Sequence, residues 1–182
     1  RVALGRRRHG LAARVGERTT GRVLRVDGAG AVDEVGVVPG VAPQGEGGLL
    51  GLALSPDESA LYAYLSSDTD NRIVRMPFDG GLGAPEVLVD GIALASNHQG
   101  GRLRFGPDGM LYVTVGDAAE GSRSQDPDDL AGKILNRFDE AHAGMVHQKT
   151  DGVAVLAAAE AVIELLAGAD GEGRRLLAVE RA

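Results

Sequence analysis

Leu52-Ala53-Leu54-Ser55-Pro56-Asp57-Glu58-Ser59-Ala60-Leu61-Tyr62 returns, with one residue deleted, as Leu103-Arg104-Phe105-Gly106-Pro107-Asp108-Gly109-Met110-Leu111-Tyr112. Pro56 and Pro107 stand 51 residues apart. Proline presets φ and aspartate bonds back onto the nearby backbone, so each copy reads as strand, tight turn, strand. Leu61-Tyr62-Ala63-Tyr64-Leu65 and Leu111-Tyr112-Val113-Thr114-Val115 alternate at period two, which supports the strand reading.

A second motif keeps the same beat. Thr20-Gly21-Arg22-Val23-Leu24-Arg25-Val26, Asp70-Asn71-Arg72-Ile73-Val74-Arg75-Met76 and Ala131-Gly132-Lys133-Ile134-Leu135-Asn136-Arg137 each read small or polar residue, base, two aliphatics. Gly21 and Asn71 are 50 residues apart, Asn71 and Gly132 are 61, and the loop at 117–129 accounts for the longer interval. Repeats of this length, made of short strands and tight turns, are the signature of propeller blades. The expected blade order is strand, Pro-Asp turn, strand, polar loop, strand, and a return strand such as Pro85-Glu86-Val87-Leu88-Val89. Two full repeats and part of a third do not close a ring. The predicted fold is therefore all-β, a partial β-propeller of about two to three blades.

The ends read differently. Residues 1–15 are rich in Arg, Ala and Gly and fit the repeat poorly, residues 16–140 carry the propeller pattern, and residues 141–182 form a third segment. Within that segment Val155, Leu156, Ala159, Val162, Ile163 and Leu166 recur at helical spacing, with Asp151 or Thr150 as N-cap and Gly168 as stop, which predicts a helical C-terminal tail. Covering a sheet edge is the expected task of such a helix, and a homo-dimer through it is the alternative.

Composition narrows the function. A net charge of −7 with three Phe, three Tyr and no Trp argues against a nucleic-acid surface, which needs clustered Lys/Arg with stacking aromatics. The longest apolar run, 153–167, is interrupted by Glu160 and Glu164 and is too short to span a bilayer. With no cysteine, thiolate chemistry is excluded and a redox role requires a bound cofactor. No signal-peptide core is visible behind Arg1, and the opening without Met reads as a processed product or a fragment.

Chemistry concentrates at Ser96-Asn97-His98-Gln99-Gly100-Gly101. Imidazole titrates near neutrality and accepts protons at working pH, and the flanking glycines let another molecule approach the backbone. A lone histidine is nevertheless more often a hydrogen-bonded turn residue than a catalyst. His9, His142 and His147 lie outside the repeat and read as incidental. Asp117, at the end of its strand, falls on the same side as the His98 turn. The run 45–51 lacks the Lys-Ser/Thr ending of a phosphate loop and has Leu50 where a dinucleotide fingerprint needs its last glycine, so it reads as a tight lead-in to an inner strand. Asp68-Thr69-Asp70-Asn71 lacks the central Gly and closing Glu of a calcium loop and reads as a polar turn. Asp126, Asp128 and Asp129 read as a solvated acidic loop.

Taken together, Gly45-Glu46-Gly47-Gly48-Leu49-Leu50-Gly51-Leu52-Ala53-Leu54-Ser55-Pro56-Asp57, Asn71-Arg72-Ile73-Val74-Arg75, the stretch from His98-Gln99-Gly100-Gly101-Arg102-Leu103 through Gly116-Asp117, Gln125-Asp126-Pro127 and Ala131-Gly132-Lys133-Ile134-Leu135 resemble the soluble glucose/sorbosone dehydrogenases, which depend on pyrroloquinoline quinone (PQQ). The resemblance covers residues 16–135. It implies a six-bladed parent fold, oxidation of an aldose or related sugar at the anomeric hydroxyl, an external electron acceptor, and a periplasmic or extracellular setting. It also implies that His98 is the general base, that Glu46, Asn97 and Gln99 lie at the cofactor, and that calcium polarises the quinone. Glu46 replaces a glutamine and Asn97 an aspartate found in some members. The family's arginine beside the base, its main cofactor contacts and its calcium ligands come from later blades, whose place this sequence gives to the helical tail. Two other readings compete: a non-catalytic propeller-derived module that binds a ligand or protein, and a metal-dependent lactonase, disfavoured because His98 has no carboxylate ligand set at fixed spacing.

Overall fold

The computed structural model describes residues 13–136, and the expected helical tail lies outside them. Ten strands follow one another: β1 Ala13–Gly16, β2 Arg22–Val26, β3 Val32–Val37, β4 Leu49–Leu54, β5 Ala60–Ser66, β6 Asn71–Pro77, β7 Glu86–Ile92, β8 Gly100–Phe105, β9 Leu111–Val115 and β10 Ile134–Asn136. They pair as three antiparallel sheets, β1-β2-β3, β4-β5-β6-β7 and β8-β9-β10. Among the described residues strand structure is already present at Ala13, three residues ahead of the point where the repeat becomes readable.

The second sheet is a complete four-stranded blade in the expected order, with the Pro-Asp turn between β4 and β5, the polar loop between β5 and β6, and β7 as the return strand. The repeat makes β2, β6 and β10 equivalent third strands. The described residues therefore hold strands two to four of one blade, all four of the next, and one to three of a third: a partial β-propeller. The inner strands β4 and β8 lie side by side, and β1 packs against β4.

β5 corrects the simple alternation. All seven of its residues are buried. Ala60, Tyr62 and Tyr64 join Ile73, Leu103, Leu111 and Val113 in one core toward the third blade. Leu61, Ala63 and Leu65 join Val23, Leu49, Leu52 and Met76 in another toward the first. A strand covered on both faces is apolar along most of its length, here from Ala60 to Leu65, so the Tyr side chains, which interrupt a purely aliphatic pattern, are as much core as the leucines. Tyr62 meets the Phe105 ring edge-on at 5.2 Å between centroids.

The two Pro-Asp turns share a backbone. Ser55 N–H donates to Ala60 O and Glu58 N–H to Ser55 O, and in the later copy Gly106 N–H donates to Met110 O and Gly109 N–H to Gly106 O. Glu58 and Gly109 are both left-handed, with φ of 62° and 79°. Asp57 stitches its turn through the Ser55 hydroxyl (2.5 Å), the Ser59 hydroxyl (2.8 Å) and the Ser59 N–H (3.1 Å). These donors, the Ser55 hydroxyl foremost, lower the Asp57 carboxyl from 3.8 to about 2.

A carboxyl held below its unfolded value stabilises the fold above that value and ceases to do so as pH falls through the folded one. The stability gap between the native chain and Asp57→Asn is therefore expected to be widest above pH about 4 and to shrink toward pH about 2. Urea denaturation at stepped pH measures it, and a gap independent of pH would refute the coupling.

Candidate functional site

Antiparallel order brings certain connections to one end of the sheets: the turn after β1, the lead-ins to β4 and β8, and the segments leaving β5 and β9. Glu46, Asn97, His98, Gln99 and Asp117 all lie in these connections or beside them. The His98 segment, residues 93–99, joins the outer strand of the second blade to the inner strand of the third.

A buried scaffold supports it from below. Tyr64, from β5, donates its hydroxyl to Gln99 O at 3.0 Å. Burial pushes this phenol up, so it stays protonated and keeps donating. Asn71 Nδ2 donates to Gln99 Oε1 at 2.7 Å and to Ala93 O at 2.8 Å, while Ser66 Oγ donates to Asn71 Oδ1 at 2.6 Å. The Gln99 amide nitrogen donates to Ala95 O. Gln99 is buried, and both ends of its amide are engaged within the protein. Tyr64 and Ser66 carry no chemical motif in the sequence, their only signal being a polar group set among strand residues. Asn71 stands in the repeated base-plus-aliphatic motif, which gives no hint of its bond to Gln99.

Above this scaffold His98 is exposed over 59% of its side chain and left-handed at φ 58°. Its Nδ1 lies 2.9 Å from Asp117 Oδ1. A carboxylate only accepts, so Nδ1–H is the donor, and in the neutral form of the ring the lone pair then lies on Nε2. Among the described residues Nε2 has no hydrogen-bond partner, and the same holds for the half-buried side chain of Asn97. Orientation of the imidazole thus comes from Asp117.

Asp117 is fixed by a turn whose residue types do not announce it. Glu120 N–H donates to Asp117 O at 3.1 Å, and both central residues, Ala118 and Ala119, are left-handed at φ 54° and 60°. That is the pattern of a I′ turn, which ordinarily carries Asn-Gly. The left-handed region costs about 1–2 kcal/mol for each non-glycine residue. Part of this cost is offset by Ala119 N–H donating to Asp117 Oδ1 at 3.0 Å. Gly116, just before, is required because a Cβ there would collide with the His98 carbonyl.

Glu46 approaches from the lead-in to β4. Its Oε2 accepts the His98 N–H at 2.9 Å, and its own N–H donates to Ser96 O at 2.8 Å. Gly45 permits the approach, being left-handed at φ 54° with its Cβ position filled by the Ser96 carbonyl. Arg18, from the turn after β1, donates from one guanidinium nitrogen to Gly45 O at 3.0 Å and Gly47 O at 2.7 Å.

Asp70 and Asp129 are engaged within their own loops. Asp70 accepts from Ser67 Oγ (2.7 Å), Arg72 Nε (2.7 Å) and Gly91 N–H (2.9 Å), as expected of a polar inter-strand turn. Although burial opposes it, these partners lower the Asp70 carboxyl. Asp129 pairs with Arg123 at 2.6 Å. Among the described residues no group of three His, Cys, Asp or Glu side chains is placed to hold a metal, and no helix is long and apolar enough to cross a membrane.

The sequence and the fold that carry this site match a known family. The family model of glucose/sorbosone dehydrogenase fits residues 12–147, and the chain belongs to that family, the PQQ-dependent sugar dehydrogenases. It is 36% identical over 120 residues to quinoprotein glucose dehydrogenase B of Acinetobacter calcoaceticus, covering 56% of this chain and 25% of that protein. It is similar to the PQQ-bound aldose sugar dehydrogenase of Streptomyces coelicolor, with 41% identity, a TM-score of 0.68, and coverage of 76% of this chain and 47% of that one. A glucose dehydrogenase from Thermus thermophilus matches at 35% identity and TM-score 0.64, covering 74% and 42% of the two chains. The chain thus spans between a quarter and just under half of the length of these relatives.

Asp117→Asn is expected to lift the restriction on the imidazole, because an amide both donates and accepts. Long-range proton–nitrogen correlations of His98 should show the Nδ1–H tautomer in the native chain and a mixture in the variant. One unchanged pattern in both would mean that Asp117 does not set the tautomer.

Proposed function

We propose that this end of the chain takes part in PQQ-dependent oxidation of an aldose or related sugar, with His98 as general base. The observation that carries the reading is the His98–Asp117 pair, which leaves Nε2 exposed and lone-pair-bearing in a member of this family. The anomeric hydroxyl is too weak an acid to ionise at neutral pH, so its proton must leave as hydride departs from the same carbon. His98 Nε2 takes that proton, and Asp117, facing Nδ1–H, stabilises the resulting imidazolium. The quinone, when bound, supplies the acceptor for the hydride, a task no side chain performs.

The residues present fit one edge of such a cofactor. Exposed Glu46 holds the His98 N–H, half-buried Asn97 precedes His98 in the chain, and Gly100 and Gly101 follow it at the start of β8. Gln99 supports them from the interior. Calcium, which the family implies, finds no cluster of three ligands among the described residues, so no step here is assigned to it. The electron acceptor is external, and the setting we propose is periplasmic or extracellular, in keeping with the family.

The test supplies the full chain with PQQ, calcium, aldoses and a dye acceptor. Sugar-dependent dye reduction is expected, lowered by roughly 10²- to 10⁴-fold in His98→Ala. Absence of both turnover and quinone binding in the native chain would reject the proposal. Quinone binding without turnover would favour a non-catalytic binding module.

A further inference from the structure

Three groups from two segments hold the backbone and ring of His98. Asp117 accepts from Nδ1, Ala118 N–H donates to the His98 carbonyl at 3.3 Å, and Glu46 Oε2 accepts the His98 N–H at 2.9 Å. Glu46 alone comes from another blade connection, and it acts twice on the same segment: its N–H on Ser96 O, its carboxylate on the N–H two residues later. The two bonds close a clasp around residues 96–98.

The clasp bears on a strained residue. His98 is left-handed, a region that a β-carbon disfavours, and it occupies this conformation with its side chain largely exposed. A carboxylate receiving a backbone N–H forms a charge-assisted bond, stronger than a neutral one. Without that acceptor the exposed N–H would turn to water, and the backbone would be free to relax to negative φ, swinging the ring away from Asp117.

We infer that Glu46 is a positioning residue: its side chain locks the His98 backbone in the left-handed conformation that brings Nδ1 to Asp117. This is a role distinct from contact with a cofactor, and it requires an oxygen acceptor rather than a negative charge. The glutamine at this position in some relatives of the family would offer the same acceptor through a weaker, neutral bond. The catalytic meaning of the clasp rests on His98 being the base, whereas the clasp itself does not.

The experiment compares Glu46→Ala and Glu46→Gln with the native full chain. In Glu46→Ala, hydrogen exchange at the His98 amide is expected to quicken by roughly ten- to hundredfold, the loss of one charged-group hydrogen bond. The Nδ1–H tautomer signal of His98 should become mixed while the urea midpoint of the whole chain moves little. Glu46→Gln, which keeps an acceptor oxygen, should restore both signals toward the native pattern. With PQQ and sugar, Glu46→Ala should lower kcat by about tenfold or more while the sugar KM stays within about twofold. A His98 amide that exchanges at the native rate in Glu46→Ala, or a Glu46→Gln variant that behaves like Glu46→Ala, would overturn the inference. If the native chain shows no quinone-dependent turnover, the proposed catalysis fails, and the exchange and tautomer signals still decide the clasp.

Discussion

Alternate side chains of β5 feed two separate cores, and everything else in the described residues hangs on that division. Tyr62 and Tyr64 look toward the third blade, Leu61 and Leu65 toward the first, so one strand ties three sheets together. The arrangement also joins packing to chemistry. Tyr64 is wholly buried along its ring yet ends in a hydroxyl that reaches the Gln99 carbonyl, one residue from His98. The position of the exposed histidine is thus set from the hydrophobic interior, through a bond that burial shields from water.

The site has two tiers with different physics. The lower tier, Ser66, Asn71 and Gln99, is buried and hydrogen-bonded throughout, which is the condition under which polar groups are tolerated in a core. The upper tier, Glu46, His98 and Asp117, is open to solvent and relies on charged acceptors and left-handed backbone. Glycines at 45 and 116 let the loops of neighbouring blades come within hydrogen-bonding range. Rigidity below and exposure above are what a proton-accepting group needs: a fixed direction and an accessible lone pair.

Much of this was legible in the sequence, for identifiable reasons. The Pro-Asp turns and the base-plus-aliphatic motif are local signals, and local signals survive without tertiary context; they placed β2, β4 to β7 and β8 to β10 correctly. The double burial of β5 was not legible, because Tyr at alternate positions reads as a half-exposed strand until a second blade is known to cover it. Asp117 was assigned to the correct side from strand direction alone. Its bond to His98 depends on two left-handed alanines, residue types that give no hint of such a turn. Gln99 shows the limit of motif transfer: a resemblance locates a residue along the chain, while the direction of its side chain is decided by neighbours such as Asn71.

Glu58 and Gly109 occupy the same left-handed position in two copies of one turn. In the later copy glycine adopts it without steric cost; in the earlier one a residue with a full side chain is held there by the Ser55–Asp57–Ser59 stitching. The aspartate makes the same bond in both, accepting the N–H two residues on: Ser59 N–H to Asp57 Oδ1 at 3.1 Å and Met110 N–H to Asp108 Oδ1 at 3.0 Å. What the two copies hold in common is a backbone path pinned by one carboxylate oxygen, and the two serine hydroxyls of the earlier copy add to that pin where no glycine relieves the bend.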